Sequence, residues 1–397
     1  MNVFLICNKS PFPPREGGPI AMNAVIQGLL DAGHKVKVLA INTNKYNIPP
    51  EKIPVSFKEK TNIELVYIDL SIKPFDAFLN LFTQKSYHVQ RFISKTFRDK
   101  LIGILENNEF DIIQFETLYI TPYIDIIRKY SRARIVLRAH NIEHLIWKRI
   151  QKQERNPLKK FYYRHLANTL KKYELKSLDR FDGIATITNA DKDFFAGHTN
   201  TPITDISFGI DLGKIPAPSK DYEYPSLGHI GAMNWIPNLE GIKWFLEKAW
   251  PKIHGSFPDL KLYLAGREMP AWIEKAGFPN LVVLGEVEDA YEFMLSKAIM
   301  LAPLLSGSGI RIKIIESMAL GKAVISTPVG AEGINCENEK HILIAESPED
   351  FHQAVEKCLQ SREYTDELGK NARLLIEEDH DNKKIIKKLL AFYHKIL

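Results

Sequence analysis

A stretch in the C-terminal half carries residue types suited to binding a phosphorylated ligand. Across residues 299–333 the pattern predicts a strand, a glycine-rich loop, a helix and a second strand. Glycines let a backbone approach a ligand closely, and a helix start offers unpaired N–H groups and a positive dipole end to an anion. In open parallel sheets, ligands bind at the carboxyl ends of strands, where this loop would lie. The candidate residues are Gly307, Ser308, Gly309, Arg311, Lys313 and Glu316.

The spacing of the three charged residues limits what they can do together. Residues two apart on a helix diverge by about 200°, so Arg311 and Lys313 cannot both face one phosphate from helical positions. Either Arg311 belongs to the loop, or only one of the two contacts the phosphates. Lys313 and Glu316 are three apart and share a helix face, which also fits a plain ion pair on the helix surface.

A second group of candidates lies in the N-terminal half. Gly17 and Gly18 stand at the start of a helix predicted near residues 19–32, Glu116 ends the short strand DIIQF, and His140 follows the strand RIVL. Catalytic groups tend to lie on loops that follow the strands of such sheets. The simpler alternatives are a plain turn at the glycines and a helix cap at Asn141 with solvated neighbours.

The elements that must hold these residues alternate between strand and helix in both halves of the chain. The N-terminal half includes a predicted loop at 48–62 and one helix across 87–107, and the tail from residue 382 predicts an amphipathic helix. A composition break, GKIPAPSKDYEYP, separates the halves. We therefore expect an α/β protein with two doubly wound domains that face one another, and a tail that packs on protein.

Composition excludes several classes of protein. A chain of 397 residues with a formal net charge of +5 is only mildly basic, so nucleic-acid binding does not follow. The three cysteines, Cys7, Cys336 and Cys358, have no spacing typical of zinc ligands or a disulfide framework. Neither a secretory signal nor an apolar run long enough for a membrane span is evident. These features favour a cytoplasmic protein.

The segment 148–180 is basic and predicted to be helical, with aromatic residues between its lysines and arginines. A solvated helix face is the default interpretation of such a run. The sharper hypothesis is contact with an anionic membrane, because basic residues near such lipids each contribute about 1 kcal/mol. The protein would then be peripheral on the inner face of the membrane.

Six segments, taken in order, resemble the family 4 retaining glycosyltransferases, which have the two-domain GT-B fold. They cover nearly the whole chain: GGPIAMNAVIQGLLDAGHKVKVLA, RAHNIEHLIWKRI, YELKSLDRFDGIATITNADKDFF, HIGAMNWIPNLEGIKWFLEKAWPKI, LYLAGR and GSGIRIKIIESMALGKAVISTPVGAEGI. The resemblance implies two Rossmann-like domains facing across a cleft. Residues 1–205 would bind an acceptor, with 380–397 packing back on them, and 206–379 would bind a nucleotide-sugar donor.

The same resemblance implies roles for particular residues. His140, Glu316 and Lys313 are the expected catalytic residues, with Glu316 holding the ribose hydroxyls of the donor. No metal or other cofactor is implied, because basic side chains and helix N-termini would neutralise the leaving diphosphate. The donor residues are Asn234, Trp235, Asn238, Arg267, Gly307, Ser308, Gly309, Arg311, Lys313, Glu316 and Glu332, and the acceptor residues are Gly17, Gly18, Glu116, His140 and Asn141.

Two departures from the family pattern affect the expected function. Ser308 stands where many members carry a glutamate, and NWIPN lacks a basic residue found in the first donor-domain loop of many members. We expect a retaining hexosyltransferase that acts on a glycan or lipid-linked acceptor in the synthesis of lipopolysaccharide, capsule or exopolysaccharide. A non-catalytic nucleotide-sugar-binding protein and a nucleotide-sugar epimerase are the alternatives.

Overall fold

The computed structural model describes residues 1–14, 17–307 and 309–397. These residues form two compact units. The first contains Met1–Gly209 and Ile385–Leu397, and the second contains Ile210–Lys384. Among the described helices, none combines the length and the apolar character needed to cross a bilayer.

The first unit is built on a parallel sheet. Among its described residues, seven strands lie in the order β3-β2-β1-β4-β5-β6-β7. The strands are β1 (Asn2–Cys7), β2 (Lys35–Thr43), β3 (Glu64–Ile68), β4 (Ile112–Phe115), β5 (Arg134–Ala139), β6 (Gly183–Thr186) and β7 (Ile203–Asp205). The helices are α1 (Gly17–Asp31), α2 (Val55–Thr61), α3 (Pro74–Asn80), α4 (Tyr87–Gln90), α5 (Lys95–Glu106), α6 (Ile124–Tyr130), α7 (Glu143–Gln153), α8 (Pro157–Ser177) and α9 (Asn189–Ala196).

The second unit repeats the same plan. Its sheet is also parallel, and in the part that the structure describes the order is β10-β9-β8-β11-β12-β13. The strands are β8 (Glu223–Ile230), β9 (Lys261–Ala265), β10 (Leu281–Gly285), β11 (Lys297–Ala302), β12 (Ala323–Ser326) and β13 (Leu343–Ile344). The helices are α10 (Ile236–Trp244), α11 (Trp250–Ser256), α12 (Ala271–Lys275), α13 (Ala290–Leu295), α14 (Ile312–Ala319), α15 (Pro328–Ala331), α16 (Pro348–Gln360) and α17 (Arg362–Asp379).

The central strands are buried on both faces, which explains their nearly continuous apolar sequences. In β1, Phe4 and Ile6 belong to one apolar cluster, while Val3, Leu5 and Cys7 belong to another on the opposite face. A last helix, α18 (Asn382–Ile396), adds its apolar residues to the second of these clusters. The predicted return of the C-terminal helix to the first unit is therefore confirmed.

Two local predictions were wrong. The 48–62 segment is not only loop: α2 forms within it and buries Phe57 and Thr61. The predicted helix at 87–107 is two helices, because the chain breaks after α4 and α5 starts anew at the N-cap Ser94, whose hydroxyl accepts from the Phe97 N–H. Serine is a preferred N-cap residue, so Ser94 is the sequence signal for this second helix start.

Candidate functional site

The second unit places its candidate residues where the strand order reverses. Strands β8 and β11 are neighbours at the centre of the sheet, and the chain continues from them toward opposite edges. Ligands of doubly wound sheets bind outside the carboxyl ends of such strands. The loops that follow these strands, 231–235 and 303–311, contain most of the predicted donor residues.

Lys313 links the start of α14 to residues on both sides of the 231–235 loop. From the first turn of α14 its Nζ donates to Asn238 Oδ1 at 2.7 Å and to the Ile230 carbonyl at the end of β8 at 3.3 Å. Asn238 in turn donates to the Ala232 carbonyl at 2.9 Å. A Cβ at Gly231 would lie 2.6 Å from the Asn238 amide nitrogen and 3.2 Å from Lys313 Nζ, so any larger residue there would displace these side chains.

Burial and the neighbouring Arg311 lower the pKa of Lys313 from 10.5 to about 7. Desolvation acts against the charged form of an amine, and a second positive charge adds to that effect. At neutral pH the lysine is therefore only partly charged. His229 is also buried, and its burial lowers its pKa well below the usual value. The nearby Lys313 charge acts in the same direction.

Arg311 belongs to the loop that precedes α14, which is one of the two alternatives that its spacing left open. It is the N-cap of α14 with extended backbone angles, φ −90° and ψ 92°. Its side chain is buried, donates to the Gly309 carbonyl and lies 5.8 Å from the Trp235 ring centroid. Gly307 has φ +114°, a region that favours glycine, and a Cβ there would lie 3.1 Å from the guanidinium.

Glu316 and Lys313 contact different residues. Its carboxylate accepts from the Tyr291 hydroxyl on α13 at 3.2 Å, and within the described residues no ion pair joins it to Lys313. Burial raises the pKa of Glu316 to about 7, although the Tyr291 hydrogen bond acts in the opposite direction. The surface ion-pair alternative is therefore wrong, because that pair would be exposed and would keep both groups charged. Sequence reasoning missed Tyr291, which carries no motif of its own.

The remaining predicted donor residues are spread along the same edge. Asn234 donates to Glu268 at 2.7 Å, and Arg267 is exposed just after β9. Glu332 is exposed at the end of α15. Ser308 lies outside the described residues. The structure thus brings together Trp235, Asn238, Gly307, Gly309, Arg311 and Lys313, with Glu316 one turn along α14.

In the first unit the candidates centre on Glu116, a buried carboxylate at the end of β4. It accepts from Arg138 at 3.2 Å and from Gln114 at 2.5 Å, and it lies 2.7 Å from His140 Nε2. Burial raises the pKa of Glu116, but Arg138 and His140 outweigh it and leave the pKa below its ordinary value. Glu116 therefore keeps its charge.

His140 is held by this carboxylate with its side chain 20% exposed. Burial lowers the pKa of His140, and the Glu116 hydrogen bond only partly offsets that. A neutral imidazole bonded through Nε2 can present Nδ1 to a substrate. Behind Glu116, the Tyr393 hydroxyl on α18 donates to Gln114 Oε1, so the C-terminal helix reaches the same hydrogen-bonded chain. Sequence reasoning missed Gln114, Arg138 and Tyr393, because they meet only in the folded sheet.

The other acceptor candidates have plainer surroundings. Gly17 and Gly18 open α1, and a Cβ at Gly18 would lie 3.0 Å from the Lys9 side chain. Asn141 is not a helix cap, which corrects that alternative: the N-cap of α7 is Ile142. At the start of that helix, the backbone N–H groups of Glu143 and His144 donate to the Glu174 carboxylate.

Glu143 is a half-buried acidic residue beside Tyr119. The Tyr119 hydroxyl donates to its carboxylate at 2.7 Å. Burial raises the pKa of Glu143 to about 7, and the Glu174 charge acts in the same direction while the Tyr119 hydrogen bond opposes it. Across the residues that the structure describes, no group of acidic, histidine or cysteine side chains has the arrangement of a metal site.

The two parallel sheets and their flanking helices define an α/β protein of the GT-B fold. Two solved structures share this fold over the whole chain. Sucrose-phosphate synthase from Thermosynechococcus elongatus aligns with a TM-score of 0.70 and 15% identity, covering 100% of this chain and 99% of that one. Anabaena Alr3699/HepE in complex with UDP aligns with a TM-score of 0.67 and 14% identity, covering 100% of both chains.

A family model matches most of the second unit. Residues 224–361 match the family model described as glycosyl transferases group 1. The chain is also 23% identical to an uncharacterized 44.6 kDa protein in the cps region of Klebsiella pneumoniae, over 96% of this chain and 97% of that protein.

Proposed function

We propose that the protein is a retaining glycosyltransferase that moves a hexose from a nucleotide diphosphate sugar to an acceptor in the synthesis of cell-surface glycan. One observation carries the proposal: Arg311 and Lys313 lie close together where the strand order of the second unit reverses. Glu316 lies one helical turn away from them. Two comparisons support it: HepE has been solved with UDP and with UDP-glucose, and the Klebsiella relative belongs to a cps region.

The donor would be held mainly by its diphosphate. Lys313 and Arg311 supply positive charge in a partly water-excluded place, where charge-assisted hydrogen bonds are stronger than in water. Lys313 would gain a proton as the phosphates replace its lost solvation, and the charge would then stabilise the departing nucleoside diphosphate. Glu316 would accept hydrogen bonds from the two ribose hydroxyls, since an ionised carboxylate has acceptor sites for both.

In the first unit, His140 would position the acceptor or the reacting sugar. Glu116 fixes the ring by accepting from its Nε2, so Nδ1 is the nitrogen left to meet a substrate group. The other predicted acceptor residues, Gly17, Gly18 and Asn141, lie on loops or helix starts of the same unit. The acceptor we propose is a glycan or a lipid-linked glycan.

The proposal includes a reaction without metal. The basic residues at the start of α14 would neutralise the leaving diphosphate, which in metal-dependent enzymes is a role of a divalent cation. We further propose that the protein works in the cytoplasm, on the inner face of the membrane where a lipid-linked acceptor would lie.

A binding and product screen tests this function. The full-length protein would be mixed with UDP-, GDP- and dTDP-sugars in the presence of EDTA, and binding would be followed by the shift in melting temperature. We expect stabilisation by one nucleotide class, which disappears in Lys313→Met and persists in the surface variant Lys243→Met. A protein that binds none of these donors would contradict the proposal.

A non-catalytic sugar-nucleotide binder is a second candidate, favoured by Ser308 in place of an acid. Product analysis separates the candidates. Transfer releases the free nucleoside diphosphate and a new glycoside, whereas a binder leaves the donor unchanged. A sugar altered while still attached to its nucleotide would identify an epimerase instead.

A further inference from the structure

The first unit exposes a group of large apolar side chains around α3 and the start of α8. Phe75 and Phe78 are 71% and 57% exposed, and Phe82, just beyond α3, is 76% exposed. On α8, Leu158 and Phe161 are 80% and 66% exposed. Single exposed apolar residues are ordinary, but a contiguous group marks an interaction site.

The two groups belong to one surface because α3 packs against α8. An apolar cluster joins Ala77 of α3 to α8, and His165 Nε2 lies 3.1 Å from the Asn80 carbonyl oxygen at the end of α3. Leu158, Phe161 and His165 are spaced i, i+3 and i+7, so they share one helix face. That face of α8 therefore runs from its exposed apolar residues directly to the α3 contact.

The charge around this apolar surface is mainly positive, although the exposed Asp76 lies between Phe75 and Phe78 on α3. Residues 155–172 contain six lysines and arginines and no acidic residue, and Lys159 and Lys160 are exposed beside Phe161. Lys73 and Lys85 flank α3 on either side and are also exposed. Exposed aromatic residues set among lysines are typical of surfaces that lie in the headgroup region of anionic bilayers.

We propose that residues 72–82 and 155–172 form a docking surface for an anionic lipid bilayer. The phenylalanines would enter the boundary between headgroups and acyl chains, while the lysines contact lipid phosphates. A protein partner or a second copy would bury the same aromatic residues but would not need the surrounding positive charge. The inference rests on the proposed function, because a lipid-linked acceptor would bring the enzyme to a bilayer.

Vesicle flotation with the full-length protein tests the surface. Vesicles would contain phosphatidylcholine alone or with about one third phosphatidylglycerol, a lipid of negative charge. We expect binding to the anionic vesicles and at least about tenfold weaker binding to the neutral ones. Phe75→Ser combined with Phe82→Ser should reduce binding to the anionic vesicles about tenfold or more.

Two further variants separate the contributions to docking. Lys159→Glu combined with Lys160→Glu should remove the preference for anionic vesicles. Leu374→Ser, at an exposed leucine on α17 of the second unit, is the matched control and should bind vesicles like the unaltered protein.

The proposal is overturned if the unaltered protein does not bind anionic vesicles, or if both double variants bind them as the unaltered protein does. It is also overturned if the phenylalanine variant instead converts a dimer to a monomer in sedimentation without an effect on vesicles. Nucleotide binding by calorimetry on the same proteins keeps the two proposals apart. Normal nucleotide binding without vesicle binding would remove the docking surface and leave the glycosyltransferase standing.

Discussion

Lys313 should take up a proton when the protein binds a nucleoside diphosphate, and the number of protons can be worked out. Desolvation and the nearby Arg311 lower its pKa to about 7. At pH 8 about 90% of it is therefore uncharged. If the bound diphosphate restores a pKa near its usual ~10.4, the lysine becomes fully charged, and binding consumes about 0.9 proton.

The sign of the pH dependence follows from this uptake. Because the complex holds more protons than the separate partners, affinity must fall as pH rises above about 7 and level off above the pKa of the bound lysine. Glu316 does not mask the effect. Its pKa is also about 7, so at pH 8 it is mostly ionised already and can release only about 0.1 proton.

Calorimetry at pH 8 in buffers of different ionisation enthalpy measures the uptake directly, with UDP, GDP and dTDP as ligands. In Lys313→Met we expect the uptake to vanish and affinity to fall roughly 10- to 150-fold, from a charged hydrogen bond of about 1.5–3 kcal/mol. Lys322→Met is the matched control. Lys322 is also buried, with a pKa lowered to about 8, but it bonds the Leu295 carbonyl away from the α14 start. Uptake that persists in Lys313→Met, or that is lost in Lys322→Met, would refute the reasoning.

Three further predictions concern acidic residues and their partners. Glu316→Gln should weaken UDP binding about tenfold or more while leaving inorganic pyrophosphate binding unchanged, because pyrophosphate has no ribose; equal losses for both ligands would contradict the ribose role. Glu116→Gln should lower the pKa of His140 further, since the carboxylate is what raises it; an NMR titration of the ring checks this, and an unchanged midpoint would speak against the contact. Glu143, whose folded pKa of about 7 exceeds its unfolded value, stabilises the fold less as pH rises from about 4.5 to 7. Glu143→Gln should therefore raise the melting temperature more at pH 8 than at pH 5, and an equal change at both pH values would refute the assignment.

Local spacing predicted which residues gather at the start of α14, because their placement depends on neighbours in the chain. A glycine loop before a helix start places N–H groups and basic residues close together, because all of them are neighbours in the chain. The spacing left open whether Arg311 belongs to the loop or to the helix, and the backbone at the start of α14 places it in the loop. The same spacing put Lys313 and Glu316 on one helix face but could not say what faces them. Their partners, Asn238 and Tyr291, come from other elements, 75 and 25 residues away.

In the first unit, even more of the contacts join residues that are far apart in the chain and so could not be predicted from local spacing. His140 and Glu116 could be named because each follows a buried strand, but their contact depends on the pairing of β4 and β5. The hydrogen bond from Tyr393 to Gln114 joins residues 279 apart in the chain. The exposed phenylalanines of α3 carried no recognisable motif, because exposure is a property of packing rather than of residue type.

A crystal structure of the protein with the nucleoside diphosphate that binds in the screen would test the central claim most directly. The account predicts the diphosphate within hydrogen-bond distance of Lys313 Nζ and the Arg311 side chain, and the ribose hydroxyls on the Glu316 carboxylate. A nucleotide bound elsewhere, or one whose phosphates avoid the start of α14, would contradict it.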